Sequence, residues 1–349
     1  MKLIPTIVIL VLIVIIYENT AGSEYEPIEF NPQGTVIDNQ GEWYEWTRIR
    51  GVVQGHVKAK NFGRLEQMVQ EVRNNGYQFK NTSWVLYELY NVIVIDLPDY
   101  EAIHTFIGEW KNYNPNSNIP DILEARAHRA KAWEIRGNGY SSYVSQEQYK
   151  GFQDYLKKSW QATERAERKG PMDSELCAVQ IELSFAYMKN KSKAKKYFNK
   201  CIEIEPGYVH SYYMMRSYLQ PIWFGSNKEL QQFIEQSTDD TRYLYGDGLY
   251  ALLVSAHTFN TSKIFAINGG SYSWPRVKSG FQHIFKKYGE SSYIWHIFGY
   301  CAMLAEDYET FAQILSEIGT QWDDEKKRYF KKKPWYNYHL NRTKVLLSN

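Results

Sequence analysis

Apolar residues recur along this chain at intervals of three and four from about residue 62 to residue 318, the period that gathers them on one face of a helix. Phe62, Leu65, Met68, Val69 and Val72 define one helix ending near Gly76. Trp84, Leu86, Tyr87, Leu89, Tyr90 and Ile93 define the next, opened by Thr82 or Ser83 as cap. A third is expected over residues 99–113, stopped by Pro115, and a fourth begins around Pro120, whose missing N–H is not needed in a first turn. Gly137, Asn138 and Gly139 break the chain, and Ser145 with Gln148 has the spacing of a capping box for a long helix reaching Lys169.

Two antiparallel helices joined by a tight turn follow, over residues 174–189 and 192–205. The first is apolar on two stripes, Leu176, Val179, Leu183 and Tyr187 on one and Ile181, Phe185 and Met188 on the other, as expected of a helix buried nearly all round. The second turns Ala194, Tyr197, Phe198 and Cys201 inward and Lys193, Lys195, Lys196 and Lys200 outward. Phe185, Ala194, Phe198 and Pro206 stand at the offsets of a tetratricopeptide hairpin, although Glu182 takes the place of its usual glycine. Beyond Pro206, a helix over 208–219 is cut short by Pro221 and Gly225. Ser226 and Glu229 cap another to about 236, and the pattern continues over 243–259. After a loop marked by Asn268, Gly269, Gly270 and Pro275, a last hairpin over 291–318 carries Trp295, Phe298, Gly299 and Tyr308 at similar offsets, with Phe311 where a small residue is usual. Such hairpins cannot bury both faces alone. The expected fold is therefore all-α, helical hairpins stacked as a tetratricopeptide-like α-solenoid.

Residues 3–17 form an uncharged apolar run broken only by Pro5 and Thr6, with Lys2 before it and Glu18, Glu24, Glu26 and Glu29 after it. The run fits the upper limit of a signal peptide or a short anchor, and its charge asymmetry places the remainder outside the cytoplasm. The expected organisation is a signal peptide or membrane anchor over 1–22, a spacer with little regular structure over 23–55, an N-terminal helical domain over 56–170, and a repeat region with a basic C-terminal tail over 171–349. Cys177, Cys201 and Cys301 are too few for a disulfide framework. Antiparallel packing of the central hairpin brings Cys177 and Cys201 together. They form either a bridge in an oxidising compartment or two small apolar residues in a packed seam.

Further residues resemble the bacterial family known as domain of unknown function 4034. They are Phe62, Leu65 and Glu66, then Trp84, the run from Trp110 to Ser117, then Ala132, Trp133, Arg136, Gly137 and Tyr140, and Pro221, Trp223, Gly225 and Ser226. The resemblance implies a helical domain fused to tetratricopeptide-like helices, with no reaction, cofactor or substrate attached.

The search for chemistry returns little. None of the eight histidines stands in a His-Glu-x-x-His or comparable spacing, no nucleophile elbow or phosphate loop occurs, and the expectation is no cofactor and no metal. A net charge of +2 gives no field that would gather nucleic acid. The carboxylate pairs Asp239–Asp240 and Asp323–Asp324 are read as helix starts, and residues 326–344, basic and aromatic, as a solvated face and tail. Aromatic residues are abundant, 16% of the chain, and mainly fill the space between helical layers. Two groups stand where helices diverge: Arg136, Tyr140 and Tyr143 beside the glycine break, and Trp223 and Phe224 beside Pro221. Together they are the candidate binding residues. The expected function is an exported protein- or peptide-binding scaffold, tethered to the membrane by its first segment or released from it by cleavage. The rival is a cell-envelope enzyme or saccharide-binding protein, whose cleft would hold two carboxylates between exposed aromatic rings.

Overall fold

A computed structural model describes residues 42–137, 139, 141–256, 264–330 and 332–347. The expected leader and most of the expected spacer lie outside them. The described residues are all-helical, without a β-strand, and the helices pack against their neighbours. No helix among them is long and apolar enough to cross a membrane. The chain divides into two compact units after Asp96.

The first unit contains α1 (Glu42–Lys58), α2 (Phe62–Asn75) and α3 (Val85–Ile95). Helix α1 corrects the spacer, which was read as lacking regular structure through residue 55. Ile49, Val53 and Val57, spaced by four, form a buried stripe that the nearby tryptophans and glycines obscured. Helix α2 starts where the Asn61 side chain accepts the Arg64 N–H and stops at Gly76, whose φ of 63° only glycine adopts freely. Leu65 and Val69 of α2 and Tyr90 and Ile93 of α3 are fully buried.

The second unit begins with α4 (Tyr100–Tyr113), α5 (Ile119–Arg136) and α6 (Gln146–Lys169). Pro120 lies in the first turn of α5, and the capping box of Ser145 and Gln148 opens α6. Helices α7 (Ser174–Ala186) and α8 (Lys191–Ile204) form the central hairpin, with α7 buried at every position from Ser174 to Phe185. The junction expected near residue 170 thus lies inside this unit. There, buried Arg126 of α5 pairs with buried Glu175 of α7, which also accepts from Tyr208 Oη at 2.6 Å. Cys177 and Cys201 are placed as a disulfide, with Cα atoms 5.6 Å apart.

Helices α9 (Val209–Tyr218) and α10 (Asn227–Asp240) come next. Asp239 and Asp240 end α10 instead of starting a helix, and Asp239 is neutralised by Arg242 and Arg276. The continuous helix expected over 243–259 is split into α11 (Arg242–Tyr245) and α12 (Gly248–Ser255) by Gly246, which has a φ of 56°. Helix α13 (Trp274–Tyr288) packs on α12, and α14 (Ser292–Leu304) and α15 (Tyr308–Ile318) form the last expected hairpin. Helices α16 (Asp324–Phe330) and α17 (Lys333–Leu347) correct the solvated tail. Asp323 does cap α16, but Phe330, Tyr336 and even Lys326 are buried, the lysine holding Ile318 O at 2.7 Å.

Candidate functional site

Within the second unit, two chain breaks open a groove. Helix α5 ends at Gly137, whose N–H reaches back to Trp133 O at 2.9 Å, so Trp133 and Arg136 stand at an exposed helix end. Pro221 prevents α9 from continuing. The chain curls back so that Phe224 N bonds Tyr218 O at 3.1 Å and Trp223 N bonds Gln220 O at 2.9 Å. This turn lays Trp223 and Phe224 against the ends of α5 and α7.

The result is a cavity of about 170 Å³. Its walls include Trp133, Phe152, Tyr149, Tyr218, Trp223 and Phe224, with Arg136 and Lys189 also on its lining. The rings hold one another. Trp133 meets Phe152 edge-on at 4.9 Å and Trp223 edge-on at 6.2 Å, while Tyr218 stacks on Phe185 at 4.9 Å. The Arg136 guanidinium lies over both indoles, 5.4 Å from Trp133 and 5.8 Å from Trp223, and donates to Gly137 O and Gly139 O. Opposite, Lys189 Nζ donates to Tyr149 Oη at 2.9 Å.

Below the rings, Glu182 of α7 is spent on structure. One of its oxygens accepts from Arg129 at 2.7 Å and the other from Trp133 Nε1 at 2.7 Å. Burial, with the Glu182 carboxylate adding to it, raises the Tyr218 phenol well above its ordinary range. Tyr218 is therefore a neutral hydrogen-bonding group at physiological pH. Among the described residues no carboxylate lines the cavity, and the charged groups that do, Arg136 and Lys189, are cations.

Of the five residues expected at a binding site, Arg136, Trp223 and Phe224 meet here. Tyr143 lies in the adjoining turn over Ser141–Tyr143, is 78% exposed, and does not line the cavity. Tyr140 lies outside the described residues. Sequence reasoning missed Tyr149, Phe152, Lys189 and Tyr218, which reach the groove from the body of α6, the turn after α7 and the end of α9. Their signal was the aromatic face of α6, legible only as core until the break after α5 exposed one end of it. Compared with known proteins, the chain matches no family model, no curated protein and no solved structure.

Proposed function

We propose that this protein is a non-enzymatic, extracytoplasmic helical-repeat scaffold that binds an extended segment of another protein in the groove beside Trp223. The segment presents one aromatic or large aliphatic side chain next to an acidic residue. The observation that carries this reading is the lining: aromatic walls, Arg136 and Lys189, and no carboxylate. A cavity of about 150 Å³ accepts a benzene-sized ring, so the apolar part has room for one side chain. The two cations favour an acidic neighbour over a basic one by charge complementarity.

The saccharide-processing rival needs a pair of carboxylates across the cleft, and Glu182, the carboxylate bonded to Trp133 of its wall, is already committed to that indole and to Arg129. Stacking of the hairpins into a continuous solenoid, export through residues 1–22, anchoring or release there, and kinship with domain of unknown function 4034 belong to the same proposal. The juxtaposed Cys177 and Cys201 accord with an oxidising compartment.

The test is fluorescence anisotropy with short labelled peptides carrying Trp, Phe or Leu beside Asp or Glu. Charge-reversed peptides and neutral oligosaccharides serve as competitors. The expected result is saturable binding of the acidic set, weakened about 30-fold by Trp223→Ala, as for a hot-spot side chain. Equal binding by Trp223→Ala, or preference for oligosaccharide, would remove the reading.

A further inference from the structure

Helix α5 carries a second constellation, which the groove does not use. Glu124 and His128, four residues apart and so on one face, meet His104 of α4, and one donor atom from each of the three lies within 4.8 Å of the others. His104 Nδ1 stands 4.0 Å, and His128 Nε2 3.9 Å, from the same Glu124 oxygen, Oε1. These separations exceed hydrogen-bond reach. Three polar atoms therefore face one point without satisfying one another.

The surroundings select which atoms face that point. His128 Nδ1 is 2.6 Å from Tyr100 Oη, and Tyr100 bonds onward to Tyr155, which leaves Nε2 as the outward nitrogen. The other Glu124 oxygen, Oε2, accepts from Lys111 Nζ at 2.6 Å and from Arg165, which leaves Oε1. His104 approaches Glu124 through Nδ1, and its other nitrogen, Nε2, is buried without a hydrogen-bond partner. Neutral imidazole is the form that ligates metals.

We infer that His104, Glu124 and His128 form a binding site for one divalent transition-metal ion of the class that favours imidazole, zinc foremost. Zinc bonds of about 2.0 to 2.2 Å put tetrahedral ligand atoms roughly 3.3 to 3.6 Å apart, so each histidine needs to close on Glu124 by about 0.3 to 0.7 Å and the two histidines on each other by at most about 1.5 Å. A His128 Nδ1–H donating to Tyr100 Oη, and the hydrogen bonds from Lys111 and Arg165 to Glu124, are the kind of outer support that orients metal ligands. Charge decides the class of ion. Asp121 and Glu124 already face Lys111, Arg165 and Lys169, with Glu101 and Lys158 acting from further off. Calcium or magnesium, which depend on anionic oxygen, would find these carboxylates spent. Two uncharged imidazoles serve zinc, cobalt, nickel or copper without adding negative charge. Three protein ligands leave a further position to water.

The experiment uses the untagged, EDTA-stripped full chain, titrated with zinc chloride by calorimetry and with cobalt chloride by visible absorption. One equivalent is expected, with a cobalt spectrum free of thiolate charge transfer and a zinc-dependent rise in melting temperature. His104→Ala, at a side chain 26% exposed, and Glu124→Gln lose binding by more than about 100-fold. Tyr100→Phe loses about 10-fold or more, and His56→Ala loses none. Circular dichroism confirms that each variant is folded, and the wild-type titration stands without any of them. Failure of the wild type to take up either metal, a thiolate band, or unchanged affinity in both His104→Ala and Glu124→Gln would overturn the inference.

Discussion

The tetratricopeptide spacing read from the sequence matches Glu182 of α7 with Gly299 of α14, and the two helices fill the space at these residues by opposite means. Both are buried nearly all round. At Gly299 a Cβ would meet Ile314 at 3.2 Å and Phe330 at 3.3 Å, so the space is filled by neighbouring apolar side chains. At Glu182 the space is filled by a carboxylate bonded to Arg129 and Trp133, while Glu175, two turns earlier on α7, is bonded to Arg126 and Tyr208. Helix α14 is packed among aromatic and aliphatic side chains. Helix α7 is held partly by charge, and its charges orient α5, the helix that carries both the groove and the histidine cluster. The molecule places its polar chemistry where its interior is already polar.

The contrast breaks first at Glu175. Glu175→Ala strands the Arg126 guanidinium in the interior and should cost about 3–5 kcal/mol, read by urea denaturation. A loss under about 1 kcal/mol would mean that α7 is held by packing after all. Next, Cys177 and Cys201, separated by 24 residues, should contribute about 3 kcal/mol when bonded, measured as the shift in urea midpoint on reduction. Cys301 of α14, buried with its thiol pushed up, should resist alkylation in the folded protein. An unchanged midpoint would show that the pair is not bonded.

Gly299→Ala and Glu182→Ala sharpen the contrast directly. The first overpacks and the second leaves Trp133 Nε1 unpaired, so each should cost about 1–3 kcal/mol. Only Glu182→Ala should also weaken peptide binding, because only Glu182 supports the groove wall. The smallest effect is set by pH. Burial, with Arg129 and Arg126 nearby, lowers His210 from 6.5 to about 3. The unfolded chain therefore takes up the proton first, and the contribution is complete above about pH 6.5 and is lost as pH falls toward 3. Between about pH 7 and pH 4.5 the loss is on the order of 2 kcal/mol. A His210→Gln variant should show a flatter melting-temperature profile between about pH 7 and pH 4.5, and an unaltered slope would count against the assignment.

Much of the fold was legible because helix punctuation is local. Asp99, Ser145, Ser226 and Ser291 cap the helices that their positions announced, each by a side-chain bond to a backbone N–H nearby. Helix α1 was not legible, because three buried residues spaced by four are easily lost among tryptophans and glycines. The split at Gly246 and the burial of the last two helices were hidden for a different reason, since both depend on which partner a segment meets. The groove was half legible. Gly137 and Pro221 marked where helices stop, and Arg136, Trp223 and Phe224 beside them do converge, while Tyr149 and Lys189 arrive from segments with no such mark. The histidine cluster was invisible because His104 sits on a different helix from Glu124 and His128, and no linear spacing records that neighbourhood.

Most helices of the second unit lie against the one just before or after them in the chain. Contacts so close in sequence demand only short loop closures, and topologies of this kind fold quickly. The exceptions set the schedule. The bonds from Arg129 and Trp133 to Glu182 span 53 and 49 residues. The wall beside Trp223 therefore cannot be fixed until α7 has been made, well after α5 and α6 have found each other, and the groove matures late in the life of the nascent chain.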